Sequence, residues 1–563
     1  MGYDLLIKNG TVIDGTGSER FVADVGVTDG KVVKIGALGS EASEIIDATG
    51  KIVCPGFVDP HTHYDAQLSW DSLLSSSSEH GVTTVVMGNC GVGVAPCRAD
   101  QREMTKADLI TVEGMSAESL TAGIDWQWQT FPEYMDVAEA RNLAINTAFL
   151  VPLAPFRTYV LGDEASDRGA TDAETKQLVE LLDEAMQAGA FGFSLSLMNQ
   201  HIGWQGKPLA TRLASTEELK AYSKVLRDLG RGIIEVAVVK KIASLGQEEY
   251  DVLDMLLTAS DRPVSWLAVM NRMDDPEAAP QMMAKADPLI KRGAIPQVLT
   301  RPLTAEFSLD QNPLILADSM AGQVLFNRPL DELIATCKDP EFRLQLKADM
   351  DSGRLFSGQF DSTLVHTVKN SELEKYVGKT VGQIAEERGS DAFNTFFDLA
   401  LEDNLAMRFI GAAANNDWDR IPDLINDPRT MIGLSDGGAH LDMLCEAGYA
   451  TFLLGHWVRE KQIMSLEYAI KRITSEPADI FGLKDRGRVQ VGLPADLVVF
   501  DADAIGSDLR PSTRYDLPAG AARLYSQANG IERVIVNGQS IYRDGEPTGI
   551  QSGKVLRSGD YGS

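Results

Sequence analysis

Ile52-Val53-Cys54-Pro55-Gly56-Phe57-Val58-Asp59-Pro60-His61-Thr62-His63 is the stretch that decides the fold. Its apolar run predicts a short buried strand, and Pro60 stops the strand just before two imidazoles. Side chains two residues apart in an extended chain point the same way. His61 and His63 can therefore meet one metal ion. A strand that carries its polar cargo at the C-terminal tip is the unit of a parallel α/β barrel, whose sites lie at that end.

Outward from this strand, the two ends of the chain resemble each other. Leu5-Leu6-Ile7 runs into Asn9-Gly10, Val12-Ile13 into Asp14-Gly15, and Val25-Gly26-Val27 into Asp29-Gly30. Near the other end, Val534-Ile535-Val536 runs into Asn537-Gly538 and Ile541-Tyr542 into Asp544-Gly545. Asn-Gly and Asp-Gly between apolar alternations mark hairpins. The middle instead alternates short apolar runs (Thr83–Met87, Phe191–Ser194, Gly232–Val236, Pro263–Leu267, Met431–Ser435) with longer amphipathic stretches such as 174–188 and 216–229. That alternation predicts a TIM-like (β/α)8 barrel. The expected division is a small β-sandwich domain from residues 1–56 and 481–550, a barrel over 57–480, and a flexible polar tail over 551–563.

The 563 residues suffice for an elaborated barrel and a smaller domain. No apolar run reaches the roughly 18 residues of a membrane span. The first residues lack the basic and apolar regions of a secretory signal, and Leu6 stands where a myristoylation signal needs Ser or Thr. Five cysteines, widely spread and odd in number, do not form a disulfide framework and fit a reducing cytoplasm. A net charge of −29, from 81 acidic and 52 basic residues, argues against nucleic acid and anionic membranes as partners. The expected partner is a small-molecule substrate, including one that bears a carboxylate. A homo-oligomer is compatible with the composition.

Four further segments carry a resemblance: Leu6–Gly17; His80-Gly81-Val82-Thr83-Thr84-Val85-Val86-Met87-Gly88-Asn89-Cys90-Gly91-Val92-Gly93; Leu434-Ser435-Asp436-Gly437-Gly438-Ala439-His440; and Gly487–Val499. Together with Pro55–Asp65 they resemble the amidohydrolase superfamily, and within it the N-acyl-D-amino-acid deacylase branch. The resemblance spans nearly the whole chain. It implies a metal-dependent hydrolase of C–N bonds other than peptide bonds, with zinc or another divalent ion held by His61, His63, Cys90 and Asp436. It also implies that Asp436 takes the proton from a metal-activated water and passes it to the leaving amine. The chemistry is consistent: zinc accepts imidazole, thiolate and carboxylate, and acidifies a bound water.

The sequence departs from that branch at strands five and six, where the branch carries one histidine each. Gly232–Val239 and Val264–Met270 contain none, and the seven histidines of the chain all lie elsewhere. The third-strand region, Leu150–Arg157, and the fourth strand, Phe191–Ser194, likewise lack the histidine and the carbamylated lysine seen in relatives. One ion per chain is therefore expected, with Glu235 as a candidate additional ligand. A salt bridge with an arginine is the simpler role for Glu235. Cys90 is equally readable as a small buried residue, and Asp436 as a helix N-cap. His440 is a candidate for orienting Asp436 or touching substrate. Arg157 and Arg301 are candidate forks for a substrate carboxylate, or structural ion pairs. Two other functions stay open at this level: hydrolysis of a cyclic amide, lactone or other ester, and a metal-free barrel that binds a partner.

Overall fold

The computed structural model describes all residues except 1, 311–315, 317–318, 326–327, 351–359, 442–446, 509–510 and 562–563. Eight short parallel segments follow one another around its centre. They are Phe57–Asp59, Val82–Met87, Asn146–Phe149 continued by Val151–Pro152, Gly192–Ser196, Ile233–Ala237, Val264–Leu267, Ala294–Val298 and Met431–Ile432. Each pairs with the next in parallel: Asp59 with Val85, Met87 with Phe149, Val151 with Phe193, Ser194 with Glu235, Glu235 with Ser265, and Val298 with Ile432. The ring closes just beyond the strands. Thr62 bridges Gly437 in parallel, and the His63 N–H donates to the Gly437 carbonyl at 2.7 Å. This is the TIM-like barrel expected, and its closing bridge lies at the two imidazoles.

The chain ends build one nine-stranded sheet. Ile52–Pro55, which leads into the first barrel strand, pairs in parallel with Tyr3–Val12 and antiparallel with Leu497–Phe500. It thereby joins the two terminal halves. Leu5, Ile7, Val25, Val53, Leu497, Val499 and Ile535 form a core separate from that of the barrel.

Two features differ from the sequence expectation. The tail expected to be flexible instead docks on the barrel. Gly553 N–H donates to the Leu143 carbonyl, Val555 bridges Thr147, and Leu556 is buried with Val58, Phe191, Ile233 and Met431. Polar, Gly/Ser-rich composition suggested fraying, but Leu556 and Tyr561 supply apolar anchors; Tyr561 packs on Phe191 with ring centroids 5.9 Å apart. The irregular stretch between strands seven and eight contains a unit with its own core. Its antiparallel strands are Leu303–Phe307, Arg408–Ala414 and Leu364–Thr367, and its helices include Leu330–Lys338, Pro340–Met350, Val381–Arg388 and Ala392–Glu402. Phe307, Phe396, Phe397 and Phe409 are among the residues that fill it. Among the described residues, no helix is long and apolar enough to cross a membrane.

Candidate metal centre

The first strand ends at Asp59, whose carboxylate accepts the Ser435 hydroxyl at 2.6 Å and the His61 N–H at 3.3 Å. That pair ties the tip of strand one to the loop after strand eight. The loop itself is contorted. Leu434, Asp436 and His440 have φ near +50°, and Gly438 has φ +93°. A Cβ on Gly438 would lie 2.8 Å from the His63 carbonyl, so only glycine fits there. Non-glycine residues in this conformation each cost about 1 kcal/mol or more and tend to gather where side chains must be aimed. No helix begins at Asp436 among the described residues, so its N-cap role is not realised, and His440 lies in the same loop.

These constraints bring four donors together. His61 Nε2 lies 3.3 Å from His63 Nε2, 3.6 Å from Cys90 Sγ and 3.4 Å from Asp436 Oδ1, and His63 Nε2 lies 3.8 Å from the same carboxylate oxygen. Both imidazoles and the thiol are buried, while the Asp436 side chain keeps 15% of its surface open. Zinc bonds of about 2.0–2.3 Å in a tetrahedron require donors about 3.3–3.8 Å apart. Donor chemistry and spacing of His61, His63 and Cys90 fit a divalent transition ion, and Asp436 lies against both imidazoles. Burial pushes His61 down to about 3 and His63 well below the usual imidazole range, and raises the Cys90 thiol well above its usual value. Neutral imidazole is the ligand form, and a cation reverses the preference of the thiol for its proton.

Strand five contributes Glu235, fully buried and facing the barrel interior. Its Oε2 accepts the Cys90 N–H at 2.8 Å, which holds Cys90 at φ +55° in the turn after strand two. The arginine partner expected for Glu235 is not there among the described residues; the carboxylate serves the backbone instead. Ser194 and Ser265 flank Glu235 on the neighbouring strands. Ser194 Oγ accepts the Gly91 N–H at 2.9 Å, and Gln297 Nε2 donates to Ser265 Oγ at 2.9 Å. Gln297 lies close enough to His61 to act on its titration. A polar layer thus lies in the barrel below the donors, where strands five and six carry no histidine.

Three residues at the site escaped the sequence reading. Glu113 ends the helix Arg102–Glu113, and its Oε2 lies 3.4 Å from His63 Nε2 and 3.7 Å from His440 Nε2. His201, in the loop after strand four, is close enough to His63 and His440 for their charges to repel. Gln297 is the third. None lies in a motif, and each comes from a separate element that only tertiary folding brings to the mouth.

Arg157 is not a substrate fork. It is fully buried, paired with Glu218, and donates to the Arg168 carbonyl at 2.9 Å. Tyr222 completes this network with a 2.7 Å bond to the same Glu218 oxygen. Arg301 is also buried; its guanidinium lies 5.8 Å from the centre of the Phe452 ring, and its charge acts on His80.

Residues 44–542 match the family described as "Amidohydrolase family". The chain belongs to the amidohydrolase family. This amidohydrolase is 29% identical to an uncharacterized protein of Mycobacterium tuberculosis, over 100% of this chain and 97% of the relative. It is 28% identical to a D-aminoacylase of Alcaligenes xylosoxydans xylosoxydans, over 98% of this chain and 97% of that one. Among solved structures it superposes on the N-acyl-D-glutamate deacylase of Bordetella bronchiseptica, complexed with zinc and a phosphonate inhibitor. The TM-score is 0.66 at 25% identity, with 99% of this chain and 100% of that chain covered.

Proposed function

We propose that this amidohydrolase cleaves the amide bond of an N-acyl amino acid, with the D series as the expected class, using one zinc held by His61, His63, Cys90 and Asp436. The observation that carries this reading is the convergence of those four donors at the barrel mouth, His61 Nε2 lying within 3.6 Å of the other three. The similarity to proteins named D-aminoacylase and N-acyl-D-glutamate deacylase supports the substrate class.

When bound, the ion polarises the scissile carbonyl and acidifies a water. The protein does the rest. Asp436 is the most open of the four donors, so its carboxylate can take a proton from the water on the substrate side. The same carboxylate then returns the proton to the leaving amine nitrogen as the C–N bond breaks, and a carboxylic acid and a free amine result. Glu235 keeps the Cys90 turn in place throughout, and the 435–440 loop keeps Asp436 beside His61.

A panel of N-acyl-D-amino acids, N-acyl-L-amino acids, cyclic imides and lactones tests the reading on zinc-loaded protein. Turnover of the acyl-D series, lost in Asp436→Asn and His61→Ala with unchanged circular dichroism, is the expected result. Turnover confined to cyclic imides or lactones would replace the substrate class and keep the site.

A further inference from the structure

The loop that carries Asp436 has a backbone shape that its own residues disfavour. Leu434, Asp436 and His440 are non-glycine residues in the left-handed region, with φ of 57°, 48° and 48°. Such conformations persist only where the surroundings over-determine them. On the barrel side, the Ser435 hydroxyl bonds Asp59, the Gly437 carbonyl accepts the His63 N–H, and the His440 N–H donates to the Glu113 carbonyl. The other side is held by the domain built from the chain ends.

That domain sends a hairpin to the mouth of the barrel. Leu497–Phe500 and Ile531–Val536 pair in its sheet; between them the chain leaves the sheet and lays Ser512–Arg514 antiparallel against Arg523–Tyr525. Four consecutive residues, 523–526, then engage the barrel. Arg523 is 6% exposed and donates to the Ser75 carbonyl at 3.0 Å and to Ser75 Oγ at 3.3 Å. Asp516 fixes the other edge of its guanidinium with two bonds of 2.8 Å. The Leu524 N–H donates to the Leu441 carbonyl at 2.5 Å, one residue past His440. The Tyr525 hydroxyl donates to Glu79, and the Ser526 carbonyl lies 2.9 Å from His80 Nε2.

The grip on Ser75 also reaches the Asp436 loop. Ser77, two residues on, places its Oγ 2.6 Å from the Tyr64 hydroxyl. Gly437 and Gly438 rest on this pair. A Cβ on Gly437 would come within 2.9 Å of both Ser77 Oγ and the Tyr64 hydroxyl, and one on Gly438 within 2.9 Å of the Tyr64 ring. The contacts of the hairpin therefore converge on the loops after strands one and eight, which carry His61, His63 and Asp436.

We infer that the strand Arg523–Tyr525 is a clamp on the 435–441 loop, and that Arg523 is a positioning residue that keeps the Asp436 carboxylate against His61. The chain-end domain thereby completes the site instead of only flanking it. The effect on turnover rests on the amide-hydrolase reading above; the clamp itself does not.

Hydrogen exchange by mass spectrometry and steady-state kinetics, both on full-length, zinc-loaded protein, test the clamp. In Arg523→Met the amides of residues 432–441 should exchange about tenfold faster than in wild type, the scale of one lost hydrogen bond to a charged group. On the N-acyl-D-amino acid that wild type turns over best, kcat should fall about 10–100-fold while KM stays nearly constant, because the proton-transfer group moves and the binding surface does not. Arg523→Lys should recover a large part of both. Asp516→Asn, which keeps the guanidinium but loosens its far edge, should shift both in the same direction by less. Arg543→Met breaks the exposed pair with Glu44 in the same domain and should leave both unchanged. Circular dichroism confirms that each variant is folded. Wild-type exchange in Arg523→Met and Asp516→Asn, wild-type kcat despite faster exchange, or an equal loss in Arg543→Met would each overturn the positioning role. Absence of wild-type turnover on the whole substrate panel would instead overturn the proposed function, with exchange still deciding the clamp.

Discussion

Glu235 Oε2 accepts the backbone N–H of Cys90 at 2.8 Å, so strand five reaches beneath the turn of strand two and fixes the thiol beside His61. In Glu235→Ala this amide is left buried without a partner. The expected cost is about 1–3 kcal/mol of stability, measured by denaturant unfolding. Because the turn also aims a ligand, zinc affinity should fall about 10–100-fold in a competition assay with a chromophoric chelator. Glu235→Gln keeps an acceptor and should lose much less of both. An equal loss in the two variants would mean that the negative charge, not the hydrogen bond, is what Glu235 supplies.

Arg157 and Glu218 are both fully buried and face each other. Removing the arginine strands the carboxylate, so Arg157→Met should destabilise the protein by about 3–5 kcal/mol. Arg157→Met combined with Glu218→Gln should recover a large part of that loss. The Michaelis constant of folded Arg157→Met should be unchanged; a marked rise would put Arg157 back in substrate binding.

His80 sets one part of the pH profile. It is buried between Thr451 Oγ1 at 2.7 Å and the Ser526 carbonyl at 2.9 Å, and burial, helped by the charge of Arg301, pushes its pKa from 6.5 down to about 4. The unfolded chain therefore takes up a proton that the folded chain refuses. This contribution is whole above about pH 6.5 and drains away as pH falls toward 4, up to about 3 kcal/mol. His80→Gln should flatten that limb relative to wild type in urea titrations between pH 7 and 4. Asp59 acts in the opposite sense: burial raises it to about 7, so its contribution fades as pH rises through that value. An unchanged acid limb in His80→Gln would show that the imidazole is protonated in the native state.

Leu556 anchors the C-terminal segment at the end of the barrel opposite the site. Leu556→Ala should cost about 2–3 kcal/mol and speed proteolytic trimming of the last residues. Activity per folded molecule should not change. Trimming at the wild-type rate would show that the segment is held by its backbone bonds alone.

The sequence was most informative where chemistry is carried by contiguous motifs. His61 and His63 lie two apart on a strand tip, which strand alternation reveals; Cys90 and Asp436 were singled out by the segments that resemble the family, each just after a buried strand. The barrel and the joining of the two termini were legible for the same reason, since strand and hairpin signals are short-range. Glu113, His201 and Gln297 were not, because a helix end, a loop and a strand interior meet only after folding. Arg157 was ambiguous in sequence because its partner Glu218 lies on a different helix. The unit between strands seven and eight escaped because its strands pair antiparallel across long insertions. The docked tail escaped because two apolar anchors are hidden in a polar composition.

Metal content tests the central claim most directly. Elemental mass spectrometry of protein purified without added metal or chelator should find zinc bound to every chain and held through dialysis. His61→Ala and His63→Ala should lose that zinc while remaining folded. Protein that carries no transition metal, and takes up none on titration, would contradict the account and leave the barrel as a metal-free binding protein.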